Sequence, residues 1–205
     1  MPPRFISRQL SRPTGVVGRV IGFLMNRNNA QMNAFTVRRL ELAPKDRVLE
    51  VGFGGGVNLP SLLANSAYVA GLDLSADVVD WAKAKYRGAV AAGRAEFRQG
   101  TAAALPFGAA TFDKACTVNT IYFWPSLTAG FAEVHRVLAP SGRFVVGFLP
   151  KEWMDKMGHP ADIFTSRSPN DVTEALAASG FVDVQIERPT PTTRWNAIVA
   201  TRSPT

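Results

Sequence analysis

Arg47-Val48-Leu49-Glu50-Val51-Gly52-Phe53-Gly54-Gly55-Gly56-Val57-Asn58 is the stretch that decides how this chain folds. Val48, Leu49 and Val51 read as a short buried strand, the glycines as a tight turn, and the apolar run at 59–64 as the start of a helix. A strand, turn and helix in that order bring backbone N–H groups and a helix N-terminus up against a ligand, and glycine lets the main chain approach closely or take a positive φ. A dinucleotide fingerprint, G-x-G-x-x-G, would need its third glycine where Val57 stands. The pattern here is instead an acid, Glu50, two residues before Gly52, with glycines alternating at Gly52, Gly54 and Gly56. By itself such a turn also fits other strand-turn-helix units.

A second acid narrows the choice. Residues 67–74 read as another apolar strand, ending in Gly71-Leu72-Asp73-Leu74-Ser75. Asp73 lies 17 positions beyond Gly56, close to the roughly 20-residue interval at which an acid at the end of the next strand takes a ribose hydroxyl pair. Asp73 could alternatively start the following helix, but Ser75 and Asp77 already stand where an N-cap and a first-turn acid belong.

The segment Glu50 to Gly56 resembles the first motif of the class I S-adenosylmethionine-dependent methyltransferases of small-molecule type, in which an acid two residues before the first glycine is typical. The resemblance covers roughly 46–202. It implies a Rossmann-like three-layer α/β/α sandwich with a mostly parallel seven-stranded sheet, a C-terminal antiparallel strand pair and added N-terminal helices. It also implies S-adenosylmethionine as cofactor, with S-adenosylhomocysteine as product and no metal. On this resemblance Glu50, Gly52, Phe53, Gly54, Gly56, Asp73 and Leu74 belong to the cofactor site, with Asp73 on the ribose. Gln99-Gly100-Thr101-Ala102 matches the family's third motif and adds Gly100, Thr101 and Ala102 beside the adenine. Thr101 is a departure, because an aspartate is usual there; a hydroxyl also accepts, with about half the strength of an ionised group. Leu105-Pro106-Phe107 with Phe112-Asp113, and Arg136-Val137-Leu138-Ala139-Pro140 with Ser141 in place of a glycine, are further family marks.

Beyond Asp73 the pattern alternates. Residues 75–92 read as a helix stopped by Gly93, 95–99 as a strand, 114–118 as the fourth strand, and 126–138 as a helix that turns into a fifth strand at 144–149. After the fourth strand comes Asn119-Thr120-Ile121-Tyr122-Phe123-Trp124-Pro125. In an open parallel sheet, ligands sit outside the carboxyl ends of the strands, so a polar and aromatic cluster there is a site candidate. The resemblance places Asn119 near the cofactor's amino-acid part and turns Tyr122 and Trp124 toward the substrate; as large aromatics they equally suit a core. His135, within the helix, reads as a surface or helix-end residue.

Residues 151–168 break the periodicity and read as a mobile or lid-like connection, its Trp153, Met154, Met157 and Phe164 hinting at a hydrophobic substrate. His159 is the histidine placed to act as a base there, although a loop histidine before a proline is commonly inert. A helix from Ser168 to Gly180 and strands at 181–187 and 194–201 close the chain.

The 205 residues suit one body with a sizeable core, divided as a basic helical arm or cap at 1–44 and a cofactor-binding domain at 45–205. Of the 23 basic residues, seven arginines precede Glu41 with no acid among them, and the remaining 16 balance the 16 acids. The net charge of +7 therefore belongs to the arm. Val17, Val20, Ile21 and Leu24 share a helical face opposite Arg19, Gly15, Gly18 and Gly22, which makes an amphipathic helix weakened by glycine. That face either packs on the domain as a lid, or meets an anionic membrane surface or an acidic substrate. Arg19 interrupts the apolar run at 16–25, which excludes a secretory signal and a membrane span, although an arginine-rich leader superficially resembles a transit peptide. The cluster Asn26, Asn28, Asn29 and Asn33 reads as a turn before a helix at 34–42, with Pro44-Lys45-Asp46 leading into the first strand.

The lone Cys116 rules out an internal disulfide and suits a cytoplasmic setting. No metal-ligand spacing, repeat or Ser-His-Asp array occurs, and a charge-neutral body offers no wide basic face for nucleic acid. The expected activity is methylation of a small, partly apolar molecule at oxygen, nitrogen or carbon by a monomer or homodimer. The alternatives are a lipid head-group methyltransferase held to membranes by the arm, or an inactive cofactor-binding module.

Overall fold

The computed structural model describes residues 3–12, 14–15 and 29–204. Seven strands form one sheet: β1 (Arg47–Val51), β2 (Tyr68–Asp73), β3 (Ala95–Gln99), β4 (Phe112–Val118), β5 (Leu138–Phe148), β6 (Phe181–Glu187) and β7 (Asn196–Arg202). Their spatial order is β3-β2-β1-β4-β5-β7-β6. The first five run parallel, and β7 lies antiparallel to both β5 and β6. The expected mostly parallel sheet with a closing antiparallel pair is thus what forms.

The centre of the sheet is buried on both sides because β1, β2, β5 and β7 carry buried residues at successive positions rather than every second one. Leu49 and Val51 of β1, with Phe144, Val146 and Phe148 of β5, point into one core layer. Val48 and Val145 point into the other. On the first face lie α6 (Leu127–Val137), α7 (Lys151–Met157) and α8 (Pro169–Ala178), through Phe131, Val134, Met154, Val172 and Leu176. On the second lie α2 (Ala30–Arg39), α3 (Leu59–Asn65) and α4 (Ala76–Lys85), through Phe35, Leu59, Leu62, Val78, Val79 and Ala82. To these are added the helix α1 (Arg4–Ser11), the short α5 (Arg87–Ala91) and a 3-10 turn at Ile121–Phe123. α2 reaches the sheet closely because Gly147 of β5 has no side chain: a Cβ there would stand 2.4 Å from Thr36 Oγ1.

Several local expectations change. The helix read at 34–42 begins at Ala30 and ends at Arg39; Asn33 is accommodated inside it because its side-chain amide donates to the Asn29 carbonyl at 3.0 Å. The asparagine cluster is therefore partly helix, not turn. The helix read at 75–92 breaks at Tyr86, whose φ of −104° and ψ of 25° leave the helical range while its ring packs against Trp81 and Phe97. Residues 138–143 are not a separate turn: Leu138 pairs with Phe112, and the irregularity between Phe112 and Lys114 absorbs the extra residues, with Ser141 at a φ of 62°.

The connection at 151–168 contains α7 and is fastened at its base. The Lys151 N–H donates to Arg167 O at 2.8 Å, the Thr165 N–H to Tyr122 O at 3.0 Å, and the Arg167 guanidinium to Trp124 O at 2.9 Å. The amphipathic run at 16–25 lies outside the described residues.

Candidate cofactor and acceptor site

The strand order reverses at β1, with β2 on one side and β4 on the other, and the site forms at the carboxyl ends of these three strands. Gly52 turns the chain out of β1 at a φ of 75°, where its N–H donates to Leu72 O at 2.7 Å and a Cβ would stand 2.4 Å from Thr120 Cγ2. Gly54, at a φ of 48°, faces the opposite situation: a Cβ there would meet no protein atom within 4 Å. The bare backbone at Gly54 therefore borders open space, the geometry a close-approaching ligand requires. Gly56 does other work, since a Cβ there would press on Leu59 and Trp81 at 2.9 and 3.1 Å. It seats helix α3 and does not line the cavity described below.

Two carboxyl groups flank the turn. Glu50 is buried, and its Oε1 accepts from Asn58 Nδ2 at 2.7 Å while Oε2 has no partner. Burial pushes its pKa up to about 7, against the lowering effect of the Asn58 bond. Asn58 Nδ2 also donates to Asn33 Oδ1 at 3.0 Å, so the pre-strand helix α2 is tied to the carboxyl of β1. Asp73 is 7% exposed; Oδ2 accepts the Gly54 N–H and Oδ1 the Ser75 N–H, both at 2.9 Å. Burial raises its pKa, and these two N–H bonds oppose the rise. Each oxygen keeps lone-pair capacity beyond the bond it accepts. Ser75 also caps α4, accepting from the Val78 N–H, so Asp73 serves both the glycine turn and the start of that helix.

A cavity of about 490 Å³ opens from this point. It brings together Glu50, Gly52, Phe53, Gly54, Asp73, Leu74, Gly100, Thr101, Ala102, Asn119, Tyr122, Trp124 and His159. Trp153 is not among its walls: its ring lies against Lys156 Nζ and the Arg194 guanidinium, 4.1 and 4.7 Å from the ring centre. Helical periodicity explains this, because Met154, one residue on, takes the inward position and is buried.

Tyr122 borders the cavity but its hydroxyl is committed. It accepts the Leu149 N–H at 2.6 Å and lies 3.0 Å from Asn119 Oδ1 and 3.2 Å from Leu149 O. Burial raises its pKa further, so it cannot serve as a proton acceptor and acts as a wall. Trp124 packs edge-on to Phe131 and touches the cavity from the core. His159 stacks on Phe164 at 4.2 Å, with Nδ1 3.4 Å from the hydroxyl of the fully buried Ser7. Burial lowers its pKa, which leaves the ring neutral at pH 7.

Sequence reasoning passed over Asn58 and the walls contributed by Gln9, Leu10, Ser11 and Trp195, and it read Asn33 as a turn residue where it lines the cavity from α2. Asn58 had a signal, a polar residue directly after the glycine turn at a helix start. The α1 residues had none, because a short helix that crosses from outside the motif leaves no spacing to read. Among the described residues no group of three or more His, Cys, Asp or Glu could hold a metal ion, and no helix is long and apolar enough to cross a membrane.

The glycine turn after β1, the buried acid at the end of β2 and the strand order together define a protein of the Rossmann-like class. The methyltransferase domain family matches residues 49–146. The chain is 26% identical over 175 residues to an uncharacterized methyltransferase of Bacillus subtilis, YdaC, covering 82% of this chain and 89% of that one. It is 34% identical over 123 residues to a fatty-acid O-methyltransferase of Mycolicibacterium smegmatis, covering 59% of this chain and 43% of that one, so it spans less than half of that relative. Geranyl diphosphate C-methyltransferase from Streptomyces coelicolor superposes with a TM-score of 0.73 at 17% identity, over 95% of this chain and 87% of the other. The matched domain, these relatives and the shared fold support a class I S-adenosylmethionine-dependent methyltransferase.

Proposed function

We propose that the protein methylates a small, partly apolar molecule at oxygen, nitrogen or carbon. The observation that carries this reading is a cavity whose walls differ in chemistry. Glu50, Asp73, Gly54 and Asn119 line it from the carboxyl ends of β1, β2 and β4, and Leu10, Phe123, Met154, Met157 and Phe164 from α1, the segment after β4 and the segment at 151–168. The polar walls fit S-adenosylmethionine. The unpartnered Oε2 of Glu50 suits its ammonium group, the Asp73 carboxylate its ribose hydroxyls, and the Gly52-Phe53-Gly54 bend its close approach. Leu74, Gly100, Thr101 and Ala102 flank the adenine, Asn119 the amino-acid part, and Gly56 acts indirectly by seating α3.

When bound, the cofactor supplies a methyl group on a positively charged sulfur, already activated for displacement. The chain's own task is to align the acceptor and exclude water. The apolar walls do this, with Tyr122 and Trp124 fixed among them and the segment before residue 45 as a cap through α1 and α2. We assign to His159, which lines the cavity beside Ser7, the acceptance of a proton from an acceptor that must lose one. Two of the similar proteins act by name on a fatty acid and on geranyl diphosphate, acceptors with long apolar chains.

The test is a calorimetric titration with S-adenosylmethionine and S-adenosylhomocysteine, followed by labelled-methyl transfer over a panel of apolar and polar acceptors. Binding with turnover confined to the apolar members is expected. Absence of cofactor binding, or transfer only to polar acceptors, would overturn the reading.

A further inference from the structure

Helix α1 has two faces that meet different surroundings. Ser7, Leu10 and Ser11, at i, i+3 and i+4, face inward: Ser7 is buried against His159, and the other two line the cavity. Phe5 and Arg8, at i and i+3, share the opposite face, and Arg12 follows as the C-cap; all three are exposed. Phe5 is 57% exposed, and Ile6 at the margin of this face 36%. Apolar residues this large, clustered in water, mark a surface with a use. Val57, Leu74 and Met157, also exposed, are accounted for as walls of the cavity; Phe5 and Ile6 are not. Arg4 pairs with Asp162, whereas residues 1–40 contain no acid that could neutralise Arg8 and Arg12 from within the arm.

We infer that the outer face of α1 docks the protein on an anionic lipid surface, with Phe5 and Ile6 set among the acyl chains and Arg8 and Arg12 at the phosphates. Charge complementarity selects this occupant. A helix that interleaves cations with large apolar side chains and lacks acids is matched on both counts by an anionic amphiphile layer. A nucleic acid would engage the arginines and leave Ile6 without a partner. The inner face of the same helix walls the cavity, so docking sets the cavity mouth, with Met157 at its rim, beside the lipid. An acceptor dissolved in the lipid would enter between the apolar walls from there. The docking itself does not depend on the proposed methyl transfer.

Flotation of the full chain with vesicles of phosphatidylcholine alone, or mixed with phosphatidylglycerol, tests this. Binding to the mixed vesicles is expected, about tenfold weaker on the neutral ones and falling as salt rises. F5S/I6S and R8Q/R12Q should each lose about tenfold in binding. All four side chains are exposed, so both variants should keep the parent's thermal midpoint, and the arginine pair alone decides if the apolar pair does not fold. Failure of the parent to float, full binding by a folded variant of either kind, or tighter binding to duplex DNA than to the mixed vesicles would overturn the inference.

Discussion

Glu50 is a carboxyl group withdrawn from water with only half of its hydrogen-bonding capacity met, and that tension has a measurable sign. Its pKa is raised to about 7 by burial, so the folded state holds a proton that the unfolded state releases at an ordinary carboxylate pKa. The stability linked to that proton is fully present below pH ~4 and is lost as pH rises to 7, in total about 3 kcal/mol. Glu50→Gln removes the titration. Urea unfolding should therefore show the variant gaining on the parent between pH 5 and 8, while its affinity for S-adenosylmethionine falls because a charged acceptor has gone. A parent and variant with parallel pH profiles would contradict this account. Asp73→Ala should cost about 1–3 kcal/mol of cofactor binding, read by calorimetry. Both acids were legible in the sequence from their distance to the glycines. The Asn58 and Asn33 amides behind Glu50 were not, because a hydrogen bond between side chains 25 positions apart has no local period.

Helices and strands of the body were largely legible, because the hydrophobic pattern changes period where the element changes. The failures share a cause: tertiary contacts overrode local signals. Asn33 reads as a turn former but sits in α2 because its amide is satisfied by the Asn29 carbonyl and by Asn58. The segment at 151–168 lacks a clear period, yet α7 forms there, starting after Pro150 and ending at Gly158 in the left-handed region. The docking of α2 offers a quantitative test. Gly147→Ala would push a methyl into Thr36, a fully buried residue with no room to withdraw. A loss of about 1–3 kcal/mol is expected, seen as a thermal midpoint lower by several degrees. Because Met32 and Asn33 of α2 line the cavity, cofactor affinity should fall with it. A variant with unchanged midpoint and affinity would show that α2 is not clamped against the sheet.

For the folded chain as a whole, a ligand that fills the cavity is a source of stability. The walls come from α1, α2, the ends of β1, β2 and β4, and the segment at 151–168, so a ligand there adds contacts to several elements at once. Such a ligand binds the folded chain and not the unfolded one, and at about one hundred times its dissociation constant it adds about 2.7 kcal/mol. For a chain of this length that corresponds to a rise in thermal midpoint of roughly 5–10 °C. Two further expectations separate the sources of that rise. The product S-adenosylhomocysteine lacks the sulfonium but keeps the ribose and the ammonium, so it should give a shift of similar size if Asp73 and Glu50 hold it. Raising the pH from 6 to 8 should enlarge the shift, because Glu50 must be ionised to pair with the ammonium and above its pKa no protonation needs to be reversed. A midpoint insensitive to either compound, or a shift whose pH dependence is the same in the parent and in Glu50→Gln, would mean that the carboxyl of β1 does not face the ligand.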